Sequence, residues 1–396
     1  MDIVIIGAGL GGLAAAACLL QRGHRVRVFE QAAQLGEVGA GIQMSANAVK
    51  VLDHLGLRAQ VEATAVRPLA FEFRRYDSGE LLHRIPLGAA HEQAHGAPYF
   101  QLHRADLHRA MQQAVQALDP QAISLEARVA AIEEDSGSVT VHFDGGRPPA
   151  QAELLVGADG IRSVVRRHVV GVDRPRFTGQ VAWRCLLPIE RIDPALRTDI
   201  VSTIWCGPRN HAVMYYLRQA RVLNFVGCVE RDNDEEESWT VRRPWSELDE
   251  DYRGWHPQVR AVIDHVDRGE CFRWALNNRE PVADWSTVRC TMLGDAVHAT
   301  LPYMAQGAAM AIEDAAVLAR ALSDELAGLP LAQRLQVYQR HRAPRTARVV
   351  HESSEMGELY HLIDAAQMRQ AFHDRDIARS RNGWLYPYDP LGAALV

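Results

Sequence analysis

The first thirty residues constrain this chain more than any other stretch. Residues 2–6 (DIVII) are a short apolar, β-branched run, which suits a strand buried on both faces. Gly7, Gly9 and Gly12 follow at once with the spacing G-x-G-x-x-G. An alanine- and leucine-rich helix is predicted to run to about Arg22, with Gly23 placed to cap it. Residues 24–29 then read as a second strand that ends in Glu30. Each piece has a role in holding a dinucleotide. Gly7 permits a tight turn, Gly9 lets the backbone approach a pyrophosphate, and Gly12 lets helix and strand pack closely. The helix N-terminus offers free N–H groups and the positive end of its dipole to phosphates. Glu30 can accept hydrogen bonds from a ribose. Glycine-rich turns are common, but strand, turn, helix, strand and terminal acid in this order predict an adenine-dinucleotide unit. NAD and FAD both remain open at this point.

The chain has 396 residues, enough for two domains or one elaborated domain. Its net charge of −6 argues against a general nucleic-acid binder. The acidic run 232–237 is most simply a solvated loop. The six cysteines (Cys18, Cys185, Cys206, Cys228, Cys271, Cys290) show no C-x-x-C or other metal spacing, so no metal is expected and packed thiols in a reducing cytosol are. Residues 3–20 are uncharged, yet the glycines, Asp2 and the missing basic flank count against a membrane span or signal. The expectation is a cytoplasmic protein with neither membrane nor nucleic-acid partners. A homodimer is the assembly carried forward.

Further along, 36–43 is a glycine-rich loop, 46–55 a helix, and 69–76 alternates like a strand. Residues 104–118 read as an amphipathic helix, and 129–132 with 139–143 as a hairpin. A buried strand then enters Gly157-Ala158-Asp159-Gly160, followed by a basic helix with Arg162, Arg166 and Arg167. Segments 181–187, 200–206, 212–217 and 222–228 suggest an antiparallel sheet. Residues 290–296 (CTMLGDA) are a strand entering a turn, 298–306 a loop with Pro302, and 308–322 a long apolar helix. Residues 329–350 read as a helix broken or bent near Pro344, and the aromatic, proline-containing tail from 379 as an irregular cap or a frayed end.

Three motifs in this order (Gly7-x-Gly9-x-x-Gly12, Gly157-Ala158-Asp159-Gly160, Gly294-Asp295) resemble those of the single-component FAD-dependent aromatic hydroxylases. Among these, the segments GAGIQMSANAVKVL, HRADLH, HAVMYY and YMAQGAAMAIEDAAVLA are similar to salicylate hydroxylase, 3-hydroxybenzoate 6-hydroxylase and 6-hydroxynicotinate 3-monooxygenase. The resemblance implies tightly bound FAD, NADH or NADPH as a transient co-substrate, and O2. It implies an α/β fold, with a Rossmann-like FAD-binding domain (1–70, 100–178 and 280–345), an inserted antiparallel-sheet substrate domain (71–99 and 179–279) and a C-terminal helical tail (346–396). It assigns Asp295 to the ribityl and pyrophosphate region, Arg104 to the FAD phosphates and Gln43 to the flavin's surroundings. Asp159 belongs to the motif linked to both FAD and nicotinamide, acting through Arg162 or the backbone. The loop from Pro302 would lie beside the isoalloxazine, with Gly307 and Ala308 offering N–H groups to reduced flavin.

Such enzymes form an electrophilic flavin hydroperoxide, which a phenolate attacks better than a phenol, so a base working near neutral pH is useful. Residues 211–216 read as a strand, which puts His211, Val213 and Tyr215 on one face. The resemblance makes His211 the base and Tyr215 its hydrogen-bonding partner, with Tyr303 as a pocket wall. His298 is expected to be structural. For the substrate carboxylate the sequence offers Arg74, Arg84 and Arg184 without singling one out. The substrate expected is a small phenolic aromatic acid of salicylate or hydroxybenzoate type. The alternative is decarboxylative hydroxylation of the 6-hydroxynicotinate type. That enzyme has histidines at the positions of Gln43 and Tyr303 and a cysteine near Ser202, whereas the hydroxybenzoate enzyme has a polar residue at the position of Pro302. Other classes on the same scaffold are a flavin-dependent reductase or amine oxidase, and a sensory flavoprotein. A halogenase lacks support because no G-W-x-W-x-I-P sequence is present.

Overall fold

The computed structural model of the protein describes residues 1–36, 40–232, 241–374, 377 and 381–395. Of the stretches singled out above, residues 37–39 of the glycine-rich loop, 233–237 of the acidic run and 379–380 of the tail lie outside the described residues.

The apolar run at the start forms the strand Asp2–Ile6, and four of its five residues are buried. It pairs in parallel with Arg25–Phe29 on one side and Leu154–Gly157 on the other. Cys290–Met292 and Ile123–Ser124 complete a five-stranded parallel sheet at its two edges. All three sequence motifs therefore leave the carboxyl ends of neighbouring strands, where ligands of open α/β sheets bind. The helix Leu10–Gln21 is buried along most of its length, and Gly23, with φ +77°, ends it through its N–H to Leu20 O.

The second large layer is a seven-stranded sheet in the order Phe272–Asn278, Arg176–Pro188, Val222–Glu230, Asn210–Leu217, Ser202–Gly207, Ala70–Arg75, Leu81–Pro86. It departs from the antiparallel expectation at one place, because Ala70–Arg75 joins Ser202–Gly207 in parallel. The strand that starts this sheet comes from more than a hundred residues upstream, so no hairpin fixes its direction. Both faces of the sheet are covered. One packs Phe71, Phe73, Ile204, Cys206 and Cys228 into the same apolar core as the parallel sheet. The other packs Trp183, Trp205 and Phe225 against the helices Trp245–Asp251 and Pro257–His265. Period-2 alternation was legible in these strands because each face meets a different core.

Of the expected break or bend at Pro344, the break does not occur. Leu331–Tyr360 is one helix of 30 residues with Pro344 inside it. Proline removes the bond to the carbonyl four residues earlier, here that of Arg340, which is exposed and can turn to water. Buried residues on both sides, Tyr338 and Arg342 before it and Thr346, Val349 and Val350 after it, keep the helix continuous through the gap. The expected basic helix is shorter than its arginines: it spans Val164–Val169, which leaves Arg162 in the preceding turn. Among the described residues, no helix is long and apolar enough to cross a membrane.

Candidate active site

Gly7 adopts φ +101° and donates its N–H to Phe29 O at 2.8 Å. A Cβ on Gly12 would stand 2.0 Å from Gly7 O, so the helix can begin this close to the strand only with glycine there. A Cβ on Gly9 would meet nothing within 4 Å, so the space in front of it is open. Glu30 reaches back across the turn: its Oε2 accepts from Ala8 N at 2.9 Å and its Oε1 from Ala32 N at 2.9 Å. A carboxylate has about four acceptor positions, so two remain for ribose hydroxyls.

The second motif adds Asp159, whose Oδ2 accepts from the N–H groups of Val164 and Val165 at 2.7 and 3.2 Å. Its role is to cap the backbone of the following helix. Its Oδ1 is buried without a partner among the described residues, and burial pushes this carboxyl up. Arg104 opens the helix Arg104–Leu118 with its N–H on Ala40 O. Burial pulls its guanidinium down, an effect opposed by the nearby Asp295. Asp295 is itself exposed, and its Oδ1 lies 4.0 Å from where a Gly307 Cβ would be, at the mouth of the 15-residue helix Gly307–Ala321. Pro302 is exposed in the turn Pro302–Met304, and Ala305 follows at φ +54°, a strained conformation for alanine that turns the chain into the helix. Gly307 and Ala308 are half-buried in its first turn. An open space at a helix N-terminus, an orphaned carboxylate oxygen and a half-buried arginine fit a bound dinucleotide.

Beneath this loop sits a buried polar cluster that sequence reading missed. Gln306 Nε2 donates to Ser45 Oγ, and Asn47 Nδ2 donates to Gln306 Oε1 and Glu313 Oε1. Glu313 is paired with Arg342 and Arg345, and Asp314 with Arg342 and His298, at 2.6–2.8 Å. His298 is thus structural, as expected. The only sequence hint was a pair of acids inside an otherwise apolar helix.

The face expected to meet substrate is the side of the seven-stranded sheet that meets the parallel-sheet core. Register sets Cys206, His211 and Cys228 abreast, then Ile204, Val213 and Val226, then Tyr215 beside Asn224. His211 and Tyr215 share this face, as expected, but four residues of strand, about 13 Å, separate their backbones. His211 is fully buried and stands edge-on to Tyr303 at 4.8 Å and Tyr360 at 5.1 Å. Its Nδ1 is 2.7 Å from His361 Nε2, while its Nε2 has no partner among the described residues. Tyr215 packs onto Gly41, where a Cβ would come within 2.5 Å of its hydroxyl, and burial pushes its phenol up. Gln43 is buried, and its Oε1 accepts from Tyr99 at 3.0 Å and from Ser202 at 3.4 Å.

Of the three arginines raised for the carboxylate, Arg74 and Arg84 both serve Glu72. Arg184 is buried over Phe272 and Trp274. A further buried arginine, not singled out in the sequence, is Arg381. Its side chain is 3% exposed, and its guanidinium lies 5.2 Å over the Phe71 ring. Its Nη2 donates to Tyr303 O at 3.4 Å, and its Nε is unpartnered. No described carboxylate pairs with it. Arg381 sits in a tail with no periodic pattern to place it. Away from this site, Glu134, His168 and Cys290 lie within 4.8 Å of one another, but Glu134 is held by Thr287 Oγ1 and Arg289 N and the Cys290 thiol is pushed up by burial. That trio reads as packing.

Fold and site together define a dinucleotide-binding oxidoreductase with a buried, aromatic-lined face on its second sheet. The FAD binding domain model matches residues 1–353, and the chain belongs to that family. It is 40% identical over 362 residues to 3-hydroxybenzoate 6-hydroxylase of Polaromonas naphthalenivorans, covering 91% of this chain and 88% of the relative. It is 36% identical over 399 residues to 6-hydroxynicotinate 3-monooxygenase of Bordetella bronchiseptica, covering 100% and 97%. The crystal structure of Klebsiella pneumoniae HpxO complexed with FAD and uric acid superposes with a TM-score of 0.84 at 28% identity, covering 97% and 95%. The protein is a flavin-dependent aromatic monooxygenase, and FAD is its cofactor.

Proposed function

We propose that the enzyme hydroxylates the ring of a small phenolic aromatic acid, using NADH or NADPH and O2. Arg381 is the observation that carries this reading. Its neighbours are the Tyr303 carbonyl and the Tyr386 and Tyr360 side chains. A buried cation without an anionic partner is costly unless one arrives, and a guanidinium matches a carboxylate in shape and charge. The names of the relatives support it, since 3-hydroxybenzoate and 6-hydroxynicotinate are both aromatic acids with a ring hydroxyl. Bound FAD supplies the redox chemistry, taking reducing equivalents from NAD(P)H and delivering one oxygen atom of O2 to the ring while the other leaves as water. Gly7, Gly9, Gly12, Glu30, Arg104, Asp159 and Asp295 hold the dinucleotide. The first turn of Gly307–Ala321 directs N–H groups at the site of developing negative charge. Arg381 anchors the carboxylate, Tyr303 and Tyr360 wall the ring, and His211 Nε2 takes the phenolic proton. Tyr215 lies at the other end of the same face and donates a hydrogen bond to the ligand. Six buried free cysteines accord with a reducing cytoplasm.

The test is NADH and NADPH oxidation by FAD-loaded protein with salicylate, 3-hydroxybenzoate, 4-hydroxybenzoate and 6-hydroxynicotinate, with peroxide and products quantified together. A hydroxylated product with little peroxide is expected from one of the acids, and loss of CO2 would reveal the decarboxylative variant. Arg381→Met should lower kcat/KM for that acid by about 100-fold or more, as expected when one member of a buried charge pair is removed. Absence of any NAD(P)H oxidation with FAD verified as bound would refute the reading.

A further inference from the structure

His211 has no exposed surface, so a proton it takes from a substrate cannot pass directly to water. Burial, and after it the neighbouring His361, hold its imidazole well below the usual histidine range, so an imidazolium is not a stable resting place there. A base in this setting works only if it hands a proton on.

The residues needed for that are in line. His211 Nδ1 is 2.7 Å from His361 Nε2, and His361 Nδ1 is 2.8 Å from Glu230 Oε1. Glu230 is about one-third exposed and lines an open surface cleft of about 290 Å³ together with Pro208, Arg209, Arg231 and Asp251. The hydrogen bonds also fix the tautomers. A carboxylate can only accept, so His361 carries its proton on Nδ1. Its Nε2 is then an acceptor, which puts the His211 proton on Nδ1 and leaves His211 Nε2 as a lone pair. That nitrogen is the one without a partner among the described residues.

We infer that His211, His361 and Glu230 form a proton relay that carries the phenolic proton from the buried substrate face to the cleft beside Arg209. The inference rests on the phenolic reading above. The O–H bond of the substrate breaks as N–H forms at His211 Nε2. The Nδ1 proton of His211 passes to His361 Nε2, and that of His361 passes to Glu230 and on to water. One proton enters and one leaves, and neither ring keeps a charge. His361 and Glu230 touch no substrate atom and are positioning residues. The groups facing the relay are Tyr303, Tyr360, Cys206 and Cys228 around His211, and Arg209 at 3.1 Å on Glu230, with Arg231, Asp232 and Asp251 in the cleft. Tyr252 donates to the His211 carbonyl and fixes the strand, not the ring. His361 comes from the end of the helix Leu331–Tyr360, 150 residues from His211, which is why no local pattern announces the pair.

The experiment mixes FAD-loaded enzyme with the hydroxylated acid of the panel under anaerobic conditions. It follows phenolate absorbance and proton release to an indicator dye, for wild type, Glu230→Gln and His361→Gln. Glu230→Gln, at the surface, keeps the test usable should the His361 variant fold poorly. Wild type is expected to release one proton on binding. Both variants should do so about 100-fold more slowly at neutral pH, at the lower end of general acid–base effects. They should recover toward wild type near pH 10, where a phenol ionises unaided. Variants as fast as wild type at neutral pH overturn the relay, as do variants slowed equally at every pH. A wild type that neither releases a proton nor hydroxylates any phenol overturns the relay together with the phenolic reading, whereas hydroxylation unaffected in the variants overturns the relay alone.

Discussion

Two glycines of the same turn should respond oppositely to the same added methyl group. In Gly12→Ala the new Cβ would stand 2.0 Å from Gly7 O and 3.3 Å from the Ala158 methyl. A carbon needs at least about 3.2 Å from that oxygen, so helix and strand must part by more than 1 Å, and overpacking of this kind costs about 1–3 kcal/mol. In Gly9→Ala the Cβ meets nothing within 4 Å, and the backbone (φ −70°, ψ −179°) is one alanine adopts readily. The loss of unfolded-state freedom then stabilises the chain by about 0.4–1 kcal/mol. The FAD-free Gly9→Ala protein should therefore melt at or slightly above the wild-type temperature, and the FAD-free Gly12→Ala protein below it. The ligand reverses the order of blame. If the pyrophosphate lies against Gly9, its methyl group blocks the approach and FAD affinity falls about 10- to 100-fold, roughly 1.4–2.8 kcal/mol. Thermal melts with and without FAD, alongside a flavin-fluorescence titration, measure both effects. A Gly9→Ala protein that binds FAD within twofold of wild type would refute the placement of the phosphates, and one destabilised without FAD would refute the open space.

The buried ion pairs under the flavin loop give two more tests. Arg342→Met strips both Glu313 and Asp314 of a partner at 2.6 Å, leaving them with Arg345 and His298 respectively. It should cost about 3–5 kcal/mol in urea unfolding, and a loss below 1 kcal/mol would mean the cluster relaxes. Burial alone would raise the Asp314 carboxyl, but His298 and Arg342 overcome it and hold the group down to about 2. Because this lies below the unfolded value of about 3.9, its stabilising effect is complete above about pH 4 and is lost as pH falls toward 2. That effect is about 2–3 kcal/mol, and Asp314→Asn should flatten the pH 4-to-2 segment of the stability curve.

The cofactor half was legible because its signals are local. Strand Asp2–Ile6, the glycine turn and helix Leu10–Gln21 are contiguous, and each of the other two motifs sits at the end of its own short strand. Much of the substrate half was legible only as alternation. The strands Leu81–Pro86 and Phe272–Asn278 went unread, the first because Leu81 is exposed and Pro86 ends it, the second because a central stretch of it is buried on both sides. His211 and Tyr215 were found through resemblance, while Arg381 and His361 had no motif to mark them. Their positions follow from tertiary packing of the last helix and the tail onto a sheet built 150 residues earlier. The helix runs on unbroken past Pro344 because the local rule against proline in helices is outweighed by burial on either side of it.

The late position of Arg381 and His361 also sets an order of events during synthesis. The parallel sheet is complete once Cys290–Met292 has been made, and the helix facing the flavin follows directly. Arg381 is 89 residues further on, which at about 5–20 residues per second is roughly 4–18 s of translation. The growing chain thus owns its cofactor cradle before it owns Arg381 and His361, the side chains proposed to anchor a substrate and to carry its proton away. On the proposed roles of Arg381 and His361, the stretch made after the cofactor cradle turns a flavin carrier into a chemically selective enzyme.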